Sequence, residues 1–339
     1  MNALSKIGAW IFPWGKKPPS PEEVLNWAVF AEELGFDSVN MPWHYTLPNT
    51  RTFADFGNKH LLDPLVLFPA LAVRTKKIRL GFHSMVAPVA HPFAWAQYFA
   101  SLDVLSGGRT VPGLALGWWP QDFQVGGVSS TERGRRTDEH LAMIRDLWAG
   151  RPITEPGRFY DGTGLVVEPL PVQNPMPIWL GGGMKSVDRA ARWCTGLFPG
   201  HPTIEELTTS IRPEMDAASS RHNAPRLDLA IITDVYVSDN RKWLEDFVRP
   251  RLLARRNALS LTEVLNSPPG RDLNQPDGHV IWGSGEDCAE QITELLRNGA
   301  DYIVGDFNFH GLEDIEFAKA RMSDFVEKVV PHLGSLAKS

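Results

Sequence analysis

The sequence predicts an α/β protein, and within that class an eight-stranded β/α barrel (TIM barrel) with insertions at the C-terminal face. The first observation is a rhythm in which eight short apolar runs alternate with segments of helical spacing along 339 residues. The second is that these runs are continuously apolar, which is typical of parallel strands covered on both faces. The third is length, since one barrel takes roughly 250 residues or more, so we expect a single domain over residues 1–335. A doubly wound parallel sheet has the same rhythm and stays open as the alternative.

Each predicted strand is an apolar run that ends at a Gly, a Pro or a polar residue. The first βαβ unit is the clearest, because Ser20 and Pro21 indicate a helix start and Gly35 indicates its end between two short runs. Strand, helix and strand with short joints indicate parallel pairing. The predicted strands are Ile7–Phe12, Asp37–Met41, Ile78–Phe82, Val111–Leu116, Ile178–Leu180, Gly196–Phe198, Leu229–Val237 and Asp301–Val304.

The connecting segments divide into helices and loops. The stretch Asp122–Gly134 is predicted to be a polar loop, and Thr46–His60 and Arg241–Gly278 show little regular spacing. We expect the last two to shape a substrate pocket. Helices are predicted over 21–34, 63–73, 91–105, 135–148, 186–193, 286–297 and 317–330, with further helical turns after Thr203.

Composition argues against several classes of protein. The formal net charge is −6, so no overall basic character favours nucleic acid binding. The two cysteines, Cys194 and Cys288, form neither a disulfide framework nor a metal-binding pair by spacing, which indicates a reducing compartment. The N-terminus lacks the order of a signal peptide, and no run of about 18 apolar residues predicts a membrane span. We therefore expect a cytoplasmic protein with neither membrane nor nucleic acid partners.

Polar and aromatic residues follow the C-terminal ends of the predicted strands. In a barrel of parallel strands these ends meet on one face, where the active sites of barrel enzymes lie. Three histidines from three different strands indicate more than ordinary polar loops. The residues are His44, His83 and Ser84, Trp118 and Trp119, Gly181–Gly183, His201, and Asp306–Asn308.

Two of these places indicate a specific chemistry. In the stretch IWLGGGMKS, residues 178–186, glycines before a helix let backbone N–H groups approach an anion, and Lys185 adds a positive charge; a simple tight turn is the alternative. His44 follows Trp43 at a strand end, where a neutral imidazole can act as a general base, although a single histidine is more often structural. The neighbouring aromatic residues suit a planar ring.

Other chemistries fit the sequence less well. The histidines lack HxxxH or HExxH spacing, and acids at strand ends are few, with Asp234 and Asp306 as candidates, so we expect no catalytic metal. No GxSxG sequence favours serine hydrolase chemistry. A metal-dependent barrel hydrolase and a barrel that binds flavin without catalysis remain as alternative functions.

Several motifs resemble those of the bacterial luciferase-like flavin oxidoreductases. The central pattern is SGGR, an apolar strand, GW and then DFxVxG, within residues 105–127. The stretch KIRLGFHSMVAPVAHPFAWAQYFASLDVLSGGR resembles the family's third βα unit. ERGRRTDEHLAMIRDLW, the Pro-rich segment before Ile178 and GSGEDCAEQI also match in order and spacing, so the resemblance covers nearly the whole chain.

The resemblance implies a luciferase-like barrel that binds reduced FMN or the deazaflavin coenzyme F420 in its mouth. It implies a non-proline cis peptide bond in the bulge after the third strand, and a phosphate-binding turn after the fifth. It also implies a catalytic role for His44. The aromatic residues Trp43, Trp119 and Phe307 themselves indicate a pocket for an apolar or aromatic substrate. The implied cofactor-binding residues are His83, Ser84, Met85, Gly117, Trp118, Gly181, Gly182, Gly183, Met184 and Ser186.

The resemblance leaves the cofactor open. Bacterial luciferases carry an Arg just before the Gly that ends the fourth strand, where this chain has Leu116, so Arg133, Arg135 or Arg136 would have to supply that charge. The GW ending, in contrast, resembles the deazaflavin-using members. We expect first a monooxygenase that uses reduced FMN from a separate reductase, together with O2, to oxidise a small apolar or aromatic substrate. The alternative is F420-dependent hydride transfer, also served by a separate reductase. Whether the chain forms a homodimer stays open.

Overall fold

The hydrogen-bonded strands form one parallel sheet. The structure is a computed structural model of the chain and describes residues 4–13, 19–45, 62–256 and 280–336. Every strand pair within these ranges is parallel. The strands are β1 (Ile7–Trp10), β2 (Ser38–Met41), β3 (Arg79–Phe82), β4 (Met85–Val86), β5 (Thr110–Val111), β6 (Gly113–Ala115), β7 (Trp179–Gly181), β8 (Gly196–Phe198), β9 (Asp228–Val237), β10 (Ile281–Gly283) and β11 (Tyr302–Asp306).

The sheet closes into a barrel through two interrupted strands. The pairing runs from β5 through β3, β2, β1, β11, β9, β8, β7 and β6 to β4. Strand β5 lies at one end of this order and β6 lies next to the other end. Only Pro112 separates β5 from β6 along the chain, so the chain itself closes the ring. Counting β3 with β4 and β5 with β6 as single positions gives eight positions around the ring. The predicted eight-stranded β/α barrel is confirmed, and the doubly wound alternative is wrong.

The break in the fourth strand position has a local cause. Pro112 has no N–H to donate to a neighbouring strand, although its carbonyl accepts a hydrogen bond from the backbone N of Trp179 at 2.9 Å. The next residue, Gly113, lies so close to the preceding strand that a Cβ there would stand 1.5 Å from the carbonyl oxygen of Phe82. Only glycine permits this approach, which brings β6 against the end of β3.

One strand lies outside the ring and was not predicted. Strand β9 is ten residues long. Its first part, Ala230–Asp234, pairs with β11, and its last part, Val235–Val237, pairs with β10. The sheet therefore extends beyond the ring on one side of the C-terminal face. The expected pocket-forming loop Thr46–His60 and most of Arg241–Gly278 lie outside the described residues.

Side chains alternate between the barrel interior and the layer under the helices. In β3, Leu80 and Phe82 point outward, and Phe82 packs 4.3 Å from Phe68 and 5.1 Å from Phe99, measured between ring centroids. This alternation is the pleat of the strand. A separate apolar cluster fills the interior of the barrel, formed by Trp10, Phe12, Val111, Trp179, Phe198, Ala230, Ile232, Tyr302 and Val304.

The helices cover the outside of the barrel, and their ends follow the sequence signals. Ser20 and Glu23 form the reciprocal pair of hydrogen bonds of a capping box, and Gly35 ends the first helix at φ +89°. The helices are α1 (Pro21–Leu34), α2 (Pro64–Arg74), α3 (Pro92–Ser106), α4 (Pro120–Val125), α5 (Arg133–Trp148), α6 (Val187–Trp193), α7 (Ile204–Glu206), α8 (Arg212–Arg221), α9 (Arg241–Trp243), α10 (Arg249–Arg256), α11 (Gly285–Arg297), α12 (Ile315–Lys328) and α13 (Val330–Leu336).

The predicted polar loop Asp122–Gly134 is wrong. Its first residues belong to α4, which begins at Pro120, and its last two begin α5. A proline suits the first turn of a helix, and Phe123 anchors this short helix because its side chain is only 5% exposed. Across the described residues, none of the helices has the length and apolar character needed to cross a membrane.

Candidate active site at the barrel mouth

The predicted strand-end residues lie on one rim of the barrel, because all the strands run in the same direction. His44 follows β2, Ser84 follows β3, and His201 follows β8. The Nδ1 of His201 donates a hydrogen bond to the carbonyl of Ile232 at 2.7 Å, which ties the end of β8 to β9. We refer to this rim and the space it surrounds as the mouth.

A histidine and a buried aspartate form a pair at the mouth. The Nδ1 of His44 lies 2.6 Å from Oδ2 of Asp122, and the backbone N of Tyr45 donates to Oδ1 of the same carboxylate at 2.9 Å. The side chain of His44 is 13% exposed, and that of Asp122 is fully buried. Both carboxylate oxygens therefore have a donor, one from a side chain and one from the backbone.

This pairing fixes how the imidazole of His44 can act. A carboxylate only accepts hydrogen bonds, so Nδ1 must carry the proton that it donates to Asp122. In neutral His44 the other nitrogen, Nε2, is then an acceptor, and among the described residues nothing bonds to it. An acceptor nitrogen held in a fixed orientation is what a general base requires.

Asp122 is a candidate functional residue that sequence reasoning missed. It belongs to the DFxVxG motif that carried the family resemblance, but it was assigned to a polar loop. Pro120 two residues earlier and the apolar Phe123 beside it were the available signals for a helix that turns Asp122 toward His44. The pairing itself joins residues 78 positions apart, which no local pattern reveals.

Aromatic side chains form one wall of the mouth. Trp118 is 60% exposed and stands edge-on to His44, with 6.0 Å between the ring centroids, and Trp119 lies 5.6 Å from Trp118. Gly117, at φ +84°, leads into this wall. A groove of about 540 Å³ opens beside it and includes Arg133 in its lining.

The three arginines expected to supply the positive charge that Leu116 cannot provide lie in different surroundings. Arg133 lines the groove beside Trp118. Arg136 forms an ion pair with Glu132 and packs over Phe159, and Arg135 also approaches the ring of Phe159. Arg133 is thus the one of the three that stands next to the mouth.

The bulge after β3 contains the expected cis peptide bond, between His83 and Ser84. The side chain of His83 turns into the barrel interior, stacked 5.5 Å from Trp179. Burial, with a smaller contribution from the charge of Arg79, lowers the pKa of His83 to about 3, so its imidazole is neutral at pH 7. Ser84 presents its carbonyl to the backbone N of Trp43 at 3.3 Å. Met85 is fully buried within β4.

The glycine turn after β7 is open on one side. Gly182 has φ +147°, and a Cβ there would lie 2.3 Å from the hydroxyl of Ser186. Gly183 faces open space, because a Cβ there would meet nothing within 4 Å. Met184 is 44% exposed, whereas Ser186 is buried at the end of a short 3-10 turn that leads into α6. Lys185 is exposed on the same turn.

Two of the expected pocket residues lie in the core instead. Phe307 has no exposed surface and packs 5.7 Å from both Phe36 and Phe325, in the layer under the helices. Trp43 is 2% exposed and packs against Trp95. The structure therefore does not bring these side chains to the open mouth, and Trp119 is the partly exposed member of the set.

No group of three or more His, Cys, Asp or Glu side chains in the described part of the chain is arranged to hold a metal ion. Asp234 and Asp306, the acids considered at the sequence level, occupy opposite positions on β9 and β11 and are both fully buried.

Fold and site together define a β/α-barrel protein with a histidine–aspartate pair, an aromatic wall and a glycine turn around one mouth. The chain belongs to the luciferase-like monooxygenase family, which matches residues 3–302. The resemblance drawn from the motifs is thereby confirmed.

Relatives in this family use two different cofactors. The chain is 31% identical over 332 residues to an F420-dependent glucose-6-phosphate dehydrogenase of Amycolatopsis mediterranei, covering 93% of this chain and 96% of that protein. It is 22% identical over 317 residues to an FMNH2-dependent dimethylsulfone monooxygenase of Pseudomonas putida, covering 86% and 84%. The protein is accordingly a luciferase-like oxidoreductase of a flavin- or F420-dependent kind.

Solved structures share the fold. The monooxygenase RslO1 from Streptomyces bottropensis superposes with a TM-score of 0.78 at 20% identity, over 96% of this chain and 99% of that one. An F420-dependent secondary alcohol dehydrogenase, in complex with an F420-acetone adduct, gives a TM-score of 0.75 at 19% identity, over 97% and 98%. At these identities the likeness concerns the barrel and not the reaction.

Proposed function

We propose that this protein transfers a hydride between coenzyme F420, bound in the mouth, and a small organic alcohol or carbonyl compound, with His44 as the acid–base residue. The observation that carries the proposal is the 2.6 Å bond between Nδ1 of His44 and the buried carboxylate of Asp122. This bond leaves Nε2 directed away from Asp122 as the nitrogen that can exchange a proton with a substrate oxygen.

The residues at the mouth fit a flavin-type cofactor. Gly183 faces open space at the start of the turn that leads into α6, so its backbone can approach a phosphate without a side chain between them. Trp118, exposed by 60%, offers a flat apolar surface to a planar ring. Arg133 in the adjacent groove supplies a positive charge for an anionic part of the ligand.

The work of the chain's own residues is proton transfer and orientation. When bound, reduced F420 supplies a hydride, whereas reduced FMN supplies the electrons for chemistry with O2. Oxidation of an alcohol to a carbonyl compound releases a hydride from carbon and a proton from oxygen. Nε2 of His44 accepts that proton, and the buried carboxylate of Asp122 balances the positive charge that the imidazole gains. In the reverse direction His44 returns the proton to the oxygen.

Two observations favour F420 over FMN, the cofactor that the sequence placed first. Hydride transfer to or from a carbon–oxygen group needs a proton acceptor beside the oxygen, and the His44–Asp122 pair is built for that task. The arginine that would contact FMN in bacterial luciferases is replaced here by Leu116. The relative with 31% identity over 332 residues, an F420-dependent dehydrogenase, supports the same choice.

The second candidate is a monooxygenase that uses O2 and externally supplied reduced FMN to oxidise a small apolar or aromatic substrate. Trp118 and Trp119 favour it, because adjacent indole rings at the rim exclude water from a reacting group. For either cofactor, a separate enzyme would set the oxidation state before the cofactor binds to this protein.

Binding under nitrogen distinguishes the candidates. The purified full-length protein is titrated with F420 and separately with FMN, each oxidised and reduced, and fluorescence reports the dissociation constant. F420 binding, followed by bleaching of oxidised F420 on addition of alcohols from a panel, is the expected result. FMN binding with O2 uptake and substrate oxygenation would select the monooxygenase, and binding of neither would refute both.

A matched pair of variants separates chemistry from stability. His44→Gln should retain F420 binding and lose turnover. His222→Gln is the control, because His222 also pairs with a carboxylate, Nε2 to Asp188 at 2.8 Å, but on the surface. If His44→Gln and His222→Gln both turn over as fast as the wild-type protein, His44 has no part in the mechanism.

A further inference from the structure

The helix that carries Asp122 is too short to be stable by itself. Helix α4 has six residues, Pro120–Val125. Isolated helices shorter than about 12 residues are hardly stable in water, because few backbone hydrogen bonds offset the cost of forming the first turn. The place of α4 beside His44 therefore depends on its contacts with the rest of the fold.

The buried side chain of Phe123 makes one of these contacts, at a backbone position that has no side chain. Its ring belongs to the same apolar cluster as Val86 and Val89. A Cβ on Gly117 would lie 2.9 Å from Cζ of Phe123 and 3.5 Å from its Cε1. The edge of the ring thus rests almost directly on the backbone of Gly117, just after β6.

The C-terminal end of α4 makes a second close contact. Gly126 follows the helix with φ at −72°, and a Cβ there would lie 2.7 Å from Cβ and 2.8 Å from the carbonyl oxygen of Val89. Val89 ends the 3-10 turn Ala87–Val89 that follows β4. The backbone N of Val128 also donates to the carbonyl of Phe123 at 3.0 Å. Both the middle and the end of α4 are therefore packed against backbone.

These contacts determine the distance between the carboxylate of Asp122 and its partners. Asp122 directly precedes Phe123 in α4, so a shift of the helix at Phe123 moves the carboxylate as well. Oδ2 of Asp122 lies 2.6 Å from Nδ1 of His44, and Oδ1 accepts the backbone N–H of Tyr45 at 2.9 Å. A displacement of about 1 Å would take the His44 contact beyond hydrogen-bonding distance.

We propose that Phe123 is a positioning residue for the His44–Asp122 pair. Its ring, seated on Gly117, holds the carboxylate at the distance from His44 that keeps the proton on Nδ1. With a smaller side chain α4 shifts, the bond to Nδ1 weakens, and the proton distributes between Nδ1 and Nε2. The effect on turnover rests on the proposed function, whereas the effect on the tautomer of His44 needs only the pair.

The experiment compares Phe123→Leu with Phe325→Leu. Phe325, on α12, is a matched control, because it is also buried in the same apolar cluster but packs against Phe36 in the layer under the helices. Both substitutions should lower the melting temperature by roughly 2–4 °C, since each removes part of a buried ring.

Only Phe123→Leu should change the pair. Nitrogen-15 NMR should show a smaller fraction of His44 protonated at Nδ1, and kcat with an alcohol substrate should fall roughly tenfold, because the base is misplaced, while KM changes less than about twofold. Phe123→Met fills nearly the same volume with a flexible side chain and should recover most of both readings.

Each outcome decides the inference. An unchanged tautomer in Phe123→Leu would overturn it, and so would equal changes in Phe325→Leu, which would reflect a general loosening of the fold. A raised KM with an unchanged tautomer would also overturn it and assign Phe123 to ligand binding, because its ring lines the groove beside Trp118. If wild-type protein binds neither F420 nor FMN, the proposed function fails, and the NMR reading still decides whether Phe123 positions Asp122.

Discussion

Replacing Asp122 by asparagine tests the acid–base pair directly. Oδ1 of Asp122 accepts the backbone N–H of Tyr45, so the amide introduced by Asp122→Asn must turn its oxygen toward Tyr45 and its NH2 group toward His44. Nδ1 of His44 then faces a donor and has to become an acceptor. The proton of the neutral imidazole moves to Nε2, and the nitrogen that faces the substrate can no longer accept a proton.

The size of the effect follows from the bond that is lost. A charge-assisted hydrogen bond of 2.6 Å, between a side chain that is 13% exposed and one that is fully buried, contributes about 1.5–3 kcal/mol. Since about 1.4 kcal/mol corresponds to a factor of ten in rate, Asp122→Asn should lower kcat by roughly 10- to 150-fold. The dissociation constant of the cofactor should change little, because the pair acts on the proton.

Two measurements check this prediction. Nitrogen-15 NMR of the histidine side chains reports which ring nitrogen of His44 carries the proton and needs no substrate. Turnover is measured as bleaching of F420 with an alcohol found in the panel. Asp188→Asn, which alters the surface pair with His222, is the control and should leave both readings unchanged. An Asp122→Asn protein with the original tautomer and the original kcat would refute the argument.

Three further predictions follow from local geometry. Gly117→Ala should lower the free energy of unfolding by roughly 2–4 kcal/mol in denaturant titrations, because φ is +84° and a Cβ would lie 2.5 Å from Cγ1 of Val86; wild-type stability would contradict this. Gly183→Ala has open space and an ordinary φ, so the melting temperature should stay within about 1 °C while calorimetry shows weaker cofactor binding; unchanged affinity would remove Gly183 from the phosphate turn. Burial, and to a smaller extent the charge of His91, lowers the pKa of His140 in the folded protein to about 3. In the unfolded chain this histidine keeps a pKa of about 6.5, so between about pH 6.5 and pH 3 only the unfolded chain takes up a proton. Stability should therefore fall by about 1.4 kcal/mol per pH unit through this group in that window, and His140→Phe should remove that part of the acid sensitivity in urea titrations at pH 7 and pH 4.5.

The strands were predictable because each is a local signal. A parallel strand buried on both faces has to be continuously apolar, and the chain contains eight such runs at the right spacing. The interruption of the fourth position was not predictable in this way. It depends on the close approach of Gly113 to the carbonyl of Phe82, a contact between residues that belong to different strands. Strand β10 was missed because it lies outside the ring of eight positions and pairs only with the C-terminal part of β9, Val235–Val237.

Of the candidate site, the sequence could predict only the residues that directly follow a strand. His44 and the glycine turn follow strands, and the barrel brings such ends to one rim. The burial of Phe307 was not predicted, because an aromatic residue just after a strand can turn either to the mouth or to the layer under the helices. Here Phe307 turns to the layer under the helices, where it packs against Phe36 and Phe325. Asp122 was missed because its role is set by a tertiary contact with His44.

The proposed cofactor contacts at the mouth suit both of the cofactors that members of the family use. The groups that we propose hold the cofactor are an exposed indole, Trp118, and a backbone bulge at Ser84 for the ring, and an open glycine turn at Gly183 for the phosphate, and none of these distinguishes a flavin from a deazaflavin. Both ring systems are flat and both cofactors carry phosphate. The choice between hydride transfer and oxygen chemistry must then lie in side chains that face the substrate. Under the proposed function that side chain is His44, whose tautomer the buried carboxylate of Asp122 fixes, so we expect changes in reaction type to arise at the His44–Asp122 pair before they arise in the parts that hold the cofactor.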